Sequence, residues 1–371
     1  PLPGPAGGAA TAGSFVVGGQ LNGVSAASAA SVWAAGSTAL INPVTVRWDG
    51  RAWAQVLTPA GDLLTSPAGG EFDGVAAVSA AGAWAVGAGP AHQLLVDHWD
   101  GRAWSPVPAP DPGAGNGGGT TLQGVAAVSA ADVWAVGETS FTGTTVVIHW
   151  NGSAWTLVPS PTPAGNHSYL YGVAAVSATS AWAVGGTSAR TGGIPLIEHW
   201  DGSAWTLVPS PAVPGDADLL GVTATSPANA WAVGVSGSGG LIEHWDGRAW
   251  TVVPSPDLGR SGQLRGVASV SPASAWAVGA CLGQTVTEHW DGRAWTLVPS
   301  PAAGLLTGVA VTASGSAWAV GFSTSYGTAV IEEWNGTAWT WPAGFCASPS
   351  GPGCFQPDGG TPSPQPPASH T

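Results

Sequence analysis

Short apolar runs alternate with breaks rich in Gly, Ser, Asp and Pro along almost the whole chain, and the alternation repeats. The stretch from Leu170 to Pro211 shows one complete copy. It reads L-Y-G-V-A-A-V-S-A-T-S-A-W-A-V-G, then a soft variable segment, then L-I-E-H-W-D-G-S-A-W-T-L-V-P-S-P. A first run, a small-residue turn and a second run opened by Trp182 are followed by a loop. A third run ends at Trp200, the Asp201-Gly202 turn follows, and a fourth run starts at Trp205. Runs of this length bounded by turn residues predict four strands joined by three connections. Four strands in roughly 45–50 residues is the size of one propeller blade.

The tryptophans count the copies. The second-strand indole recurs at Trp33, Trp84, Trp134, Trp182, Trp231, Trp276 and Trp318. The indole before the tight turn recurs at Trp48, Trp99, Trp150, Trp200, Trp245, Trp290 and Trp334. The indole opening the fourth strand is Trp53, Trp104, Trp155, Trp205, Trp250, Trp295 or Trp339, and Trp341 completes the total of 22. Seven contiguous units predict an all-β, seven-bladed β-propeller with four antiparallel strands per blade. The indoles are expected to fill the broad outer part of each blade. Small first strands such as Gly172 to Val176 suit the crowding near the axis.

The turn before the fourth strand is Asp-Gly, or Asn151-Gly152 and Asn335-Gly336. These pairs predict a two-residue type I′ hairpin, because both residues tolerate positive φ. That register sets Trp200 opposite Ser203, with Trp200 and Trp205 on one face and Ile197 and His199 on the other. The acidic residues Glu198, Glu243 and Glu288 are expected to reach an Arg after the turn, such as Arg248 or Arg293.

Outside the repeats, residues 1–13 read as a Pro/Gly/Ala tether, residues 14–342 as the propeller and residues 343–371 as a tail. Phe15-Val16-Val17 is a candidate strand that could close the ring by pairing with the far end of the chain. In the tail, Cys346 and Cys354 are expected to form a disulfide loop, ahead of a Pro/Ser/Thr-rich linker from Thr361 to Thr371. Cys281 has no partner and reads as a small buried hydrophobe.

Composition narrows the partners. Of 371 residues only 8% are charged, and the 21 acidic against 8 basic residues give a net charge of −13. That balance opposes a nucleic-acid backbone. No apolar run approaches the length of about 18 residues that a membrane-spanning helix needs, so membrane insertion is not expected. The chain opens at Pro1 without Met, and secretion or a place at the cell surface is the expectation.

The combination of G-V-small-small-V-S, A/V-W-A-V-G and H-W-D-G-x-A-W resembles the repeat of secreted bacterial proteins in the broad kelch-like propeller superfamily, over about residues 14 to 342. The W-D-G-x-x-W hairpin is similar to that of Trp-rich lectin propellers. The chain departs from kelch repeats in lacking a Gly-Gly pair followed by spaced Tyr and Trp. It departs from WD repeats because its Trp-Asp sits inside a hairpin. The resemblance implies a propeller, in a superfamily that spans sugar binding, oxidation, hydrolysis and scaffolding.

The second-to-third loops and the interblade connections vary between copies, whereas the other turns are short and nearly invariant, so the variable face and the central mouth are the expected working surface. Its candidate ligand-binding residues are Tyr169, Tyr171, Arg190, His167, His92, Asp216, Asp218 and Tyr326. Tyr rings can stack on a sugar face while Arg and Asp bond its hydroxyls. The histidines at His98, His149, His199, His244 and His289 belong to different blades, too far apart to share a metal, and read as packing residues. No Gly-x-Ser-x-Gly, His-Glu-x-x-His or calcium-loop motif is present, and neither cofactor nor metal is expected.

The leading expectation is therefore a noncatalytic extracellular binding module with carbohydrate as ligand class, its repeated pockets adding avidity. The alternatives are a self-associating structural scaffold, and a hydrolase or oxidase with its site at the central mouth.

Overall fold

In a computed structural model, which describes residues 17–59, 69–114, 118–163, 167–189, 192–342 and 345, the chain forms seven four-stranded antiparallel sheets. Each sheet is made of strands consecutive in sequence. Blade 1 comprises Gly19–Ser28, Ser31–Thr38, Pro43–Trp48 and Trp53–Val56. Blade 4 comprises His167–Ser177, Ser180–Ala189, Gly192–Trp200 and Trp205–Leu207. The first strands of all seven blades line one axial channel, and the short fourth strands form the outer rim. Among the described residues no helix is long and apolar enough to cross a membrane.

Each seam between blades is filled by three indoles. Trp182 of blade 4 is 1% exposed. It lies 4.9 Å from Trp245 and 5.2 Å, edge-on, from Trp250 of blade 5. The same trio recurs at every seam, and Trp318 of blade 7 meets Trp48 at 5.1 Å and Trp53 at 5.3 Å in blade 1. The ring is thus closed by the packing that joins any two blades. The other face of the second-strand indole is covered within its own blade: His199 stacks 4.3 Å from Trp182. Arg47 holds that place in blade 1, 5.4 Å above Trp33. The recurring imidazoles are therefore packing residues, with partners such as Asp132 for His149 and Asn229 for His244, each at 2.8 Å.

Main-chain bonds complete the closure. The Ala329 amide donates to the Val17 carbonyl at 2.9 Å, and the Gly19 amide donates to the Gly327 carbonyl at 3.0 Å. Val17 does pair with the far end of the ring; Phe15 and Val16 lie outside the described residues. Val17, Phe345 and the extra indole Trp341 pack into the same closing cluster as Trp48 and Trp318.

Three expectations are corrected. Trp200 pairs directly with Trp205, so four residues, not two, make the turn. Gly202 alone takes positive φ, at 95°, and the Asp201 carboxylate accepts the Ser203 and Ala204 amides at 2.8 and 3.0 Å. The side chain supplies acceptors for two amides that the ladder leaves unpaired, which is why Asp or Asn is needed there. These bonds and the Ser203 hydroxyl pull the Asp201 carboxyl down to about 2. Second, Glu198, Glu243 and Glu288 do not reach an Arg; all three are fully buried at the seams, whereas Arg248 and Arg293 are exposed. Third, the Cys346–Cys354 disulfide is withdrawn. Among the described residues there is no disulfide bond, Cys281 is a free thiol donating to the Leu258 carbonyl at 3.0 Å, and Cys346 and Cys354 lie outside those residues.

Replacing Trp182 by Ala leaves a void bounded by two indoles and should cost about 3–5 kcal/mol in urea denaturation. The Trp182→Ala and Trp245→Ala costs should fall clearly short of adding in the double variant, because the two rings share one seam.

Candidate binding site at the mouth of the axial channel

The first strand of every blade carries a β-bulge at the residue preceding Gly-Val. In blade 4 Leu170 pairs with Gly185 and Gly172 with Val184, which leaves Tyr171 out of the ladder. The bulge needs its opposing glycine: a Cβ on Gly185 would run into the carbonyl oxygen of Tyr169. The glycine after the bulge has a different duty, letting first strands meet backbone to backbone. A Cβ on Gly221 would come within 2.6 Å of the Arg265 carbonyl of the next blade.

A bulge re-aims one side chain while the ladder continues on either side. Here it turns seven side chains to the axis: Asn22, Asp73, Gln123, Tyr171, Leu220, Arg265 and Thr307. With the Gly and Val that follow each of them they line a channel cavity of about 420 Å³. Gly and Val are the same in all seven blades, and the bulge residue differs in all seven. The channel is thus a one-of-a-kind surface inside a repetitive ring.

Two residues before each bulge, towards the variable loops, a second set of side chains joins the first. Tyr169 lies 5.7 Å from Tyr171, ring centre to ring centre. The Gln20 amide donates to Glu71 at 3.2 Å, the Asn22 amide to the Phe72 carbonyl at 2.9 Å, and Arg265 Nε to Gln263 Oε1 at 3.0 Å. Glu138, from the second strand of blade 3, adds a carboxyl close enough to act on both Asp73 and Tyr171.

The electrostatics of this mouth are lopsided. Enclosure in the channel, and then the neighbouring Glu71 and Glu138, push the Asp73 carboxyl up to about 8. Burial pushes Glu138 up to about 7, against the pull of its bond with Gln123. The Tyr171 phenol is pushed up to about 12 by burial, then by Asp218, Glu138 and Tyr169, with Arg265 opposing. Asp218 is raised by burial and by Asp216. This wall offers carboxyls, amides and phenols, donors and acceptors together, with the Asp73 carboxyl held in its protonated form near neutrality and the Arg265 cation as counterweight.

Of the residues singled out from sequence, the structure brings Tyr169, Tyr171 and Asp218 together at this mouth, with Asp216 exposed beside them. His167 is exposed at the start of the same strand, over Gly143 of blade 3. His92 is exposed on a single 3-10 turn, Pro90–His92, and Tyr326 is 63% exposed on a blade 7 loop. Both stand apart from the channel lining. Arg190 lies outside the described residues. Sequence reasoning missed Asn22, Asp73, Gln123, Glu138 and Arg265. The signal was present in the aligned repeats, as one variable position next to an invariant Gly-Val. Among the described residues no three His, Cys, Asp or Glu side chains are placed to hold a metal ion.

No family model and no curated protein matches the chain. Solved structures do. YCF48 bound to D1 peptide aligns at 16% identity over 85% of this chain and 92% of that one, with a TM-score of 0.58. The GH74 xyloglucanase of Xanthomonas campestris aligns at 15% identity over 91% of this chain and 55% of that one, with a TM-score of 0.59. The fucose-specific lectin of Aleuria aurantia aligns at 12% identity over 70% and 89%, but its TM-score of 0.47 is too low to say more. At these identities the likeness is one of fold, a β-propeller, and it does not single out the kelch-like group.

Asp73 sets a pH test of this geometry. Its folded-state pKa is raised, so its contribution to stability is intact below about pH 4 and lost as pH rises through about 8. Asp73→Asn should therefore match the wild type in urea midpoint near pH 4 and exceed it near pH 9.

Proposed function

We propose that the protein is a noncatalytic binding module, acting outside the cell or at its surface, that takes a carbohydrate at the variable-face mouth of the axial channel. The observation that carries this reading is the ring of bulge residues. Seven blades agree at nearly every packing position, yet all seven differ at the one position aimed into the channel. Packing asks for no common side chain at that position, because it lies outside the ladder and its hydrogen bonds differ from blade to blade; an asymmetric ligand would ask for such variety.

The chemistry favours a sugar. Pyranose rings present C–H faces that stack on aromatic rings and hydroxyls that both give and accept hydrogen bonds. Tyr169 and Tyr171 supply the faces, and Asn22, Gln123, Asp73 and Arg265 supply paired polar groups across the channel. A cavity of about 420 Å³ has room for a mono- or disaccharide end. The avidity expected from seven like pockets gives way to one composite site per ring. The Pro/Ser/Thr-rich sequence after the propeller is of the kind that spaces domains at a surface, which supports the extracellular part of the reading.

A glycan array probed with the full chain should return a restricted set of glycans. For the best of them, Tyr171→Ala should weaken affinity at least about tenfold in calorimetry, as expected for a lost stacking anchor. Thermal melting of that variant should stay close to the wild type, since Tyr171 is outside the ladder. No glycan retained at millimolar concentration, or an affinity untouched by Tyr171→Ala, would refute the reading.

A further inference from the structure

Five carboxyl groups are buried where no cation among the described residues reaches them. Asp97, Glu198, Glu243, Glu288 and Glu332 occupy the same position in blades 2, 4, 5, 6 and 7, two residues before the pre-turn Trp. Asp97 is 1% exposed and the four glutamates 0%. Their cross-strand neighbours are Ala on one side, such as Ala183, Ala232 and Ala319, and Leu, Val or Pro on the other, such as Leu207, Val252 and Pro106. No charged side chain among the described residues acts on any of the five: burial is the first cause of every shift, opposed by hydroxyl or amide donors where these exist.

What faces three of them comes from the preceding blade. The hydroxyl of Ser160 lies 2.8 and 3.1 Å from the two Glu198 oxygens, that of Ser210 2.8 Å from Glu243, and that of Ser300 2.8 and 3.0 Å from Glu332. These serines stand five residues after the fourth-strand Trp of their blade. The sequence couples the two positions at all seven seams. Thr58, Ser160, Ser210, Ser255 and Ser300 precede the five acids, whereas Ala109 precedes Ile148 and, across the closing seam, Gly344 precedes Val46. An acid occurs where a hydroxyl precedes it, and an aliphatic residue where none does.

The hydroxyl bonds cross the seam in either protonation state, and it is the apolar surroundings that favour the neutral acid. At the last seam, the Ala302 amide donates to Glu332 Oε1 at 2.9 Å, and the Thr285 hydroxyl donates to the Ala302 carbonyl at 2.8 Å. Ser300 Oγ stands between, 2.8 Å from Thr285 Oγ1 and 3.0 Å from Glu332 Oε2. If Glu332 carries a proton on Oε2, it donates to Ser300, Ser300 donates to Thr285, and every group is paired. If Glu332 is ionised, Ser300 and the Ala302 amide both donate to the carboxylate, and a charge is left in an apolar seam with no cation beside it among the described residues. Ser160 repeats the arrangement with Thr145 at 3.0 Å, and Ser210 with the Pro211 carbonyl at 3.3 Å.

We propose that these five buried carboxyls make the ring pH-sensitive: as neutral acids they fit apolar seams, with Glu198, Glu243 and Glu332 latching their blades to a hydroxyl of the one before, and on ionisation the uncompensated buried charges loosen the seams. Burial sets the range, pushing Asp97 up to about 6, Glu243, Glu288 and Glu332 to about 7, and Glu198 to about 8. The folded state holds more protons than the unfolded chain, so the stabilisation is complete below about pH 4 and is lost as pH rises through about 6–8. The ring is tight in acid and loose in mild alkali.

The experiment exchanges one seam for another that the chain already uses. S160A/E198I recreates the Ala109–Ile148 pair at the blade 3–4 seam of the full chain. Urea unfolding is followed between about pH 5 and 9. Each latch should make the unfolding constant rise about tenfold per pH unit between its unfolded and folded pKa values. The exchange should remove one such factor, leaving the profile flatter by that amount. The channel carboxyls Asp73 and Glu138 shift the wild-type profile in the same direction and are untouched by the exchange, so the difference reports the latch alone. Parallel profiles would overturn the proposal. As a measurement that needs no variant, the infrared carbonyl band of protonated carboxylic acid in the wild type should persist above about pH 6, where unperturbed Asp and Glu are ionised. Its complete loss by that pH would equally overturn the proposal.

Discussion

The structure depends on one contact repeated around a circle: a second-strand indole from one blade enclosed by the pre-turn and fourth-strand indoles of the next. Indoles are large enough to fill the wedge that opens between sheets as they fan outward. Their preference for tilted and edge-on contacts fixes the angle as well as the gap. Because the trio is met again between Trp318 and Trp48 with Trp53, the ring has no special closing device to maintain. The main-chain bonds at Val17 and Gly19 reinforce that seam and do not create it.

The same sheets solve the opposite problem at the axis, where there is too little room. Glycines let the first strands approach backbone to backbone, and the bulge ejects one residue from each ladder so that it points into the channel. The two ends of a blade therefore carry different obligations. The outer end is held to one chemistry by packing, whereas the bulge residue, left out of the ladder, is free to differ from blade to blade. The carboxyl–hydroxyl pairs stand between these regimes, bound by packing yet carrying groups that exchange protons with the medium.

Most of the architecture was legible because its signals are local and repeated. Three indoles mark every blade, and an Asp-Gly or Asn-Gly turn marks every outer hairpin. The turn geometry was misread because Asp can serve a turn in two ways, by tolerating positive φ or by accepting amides through its side chain, and a dipeptide does not say which. Glu243 was misassigned because Arg248 just after it in sequence suggests an ion pair, while the seam that buries it brings in Ser210, 33 positions earlier. Of the site, Tyr169, Tyr171 and Asp218 were found because they stand out as chemistry. Asp73 and Arg265 were not, because they lie four blades apart in sequence and only the closed ring sets them on one wall.

Making every blade from four consecutive strands has a consequence for the order of the chain. Among the described residues no full strand is lent from one end to complete a sheet at the other, so the seven blades follow one another around a circle in chain order, with only a short bridge from Val17 to Gly19 crossing to blade 7. Opening it at another interblade connection and joining the present ends would keep every sheet and every indole trio intact. Rings of this construction can gain, lose or rotate whole blades as cassettes, and what such a rearrangement changes is the sequence of side chains met on walking around the pore.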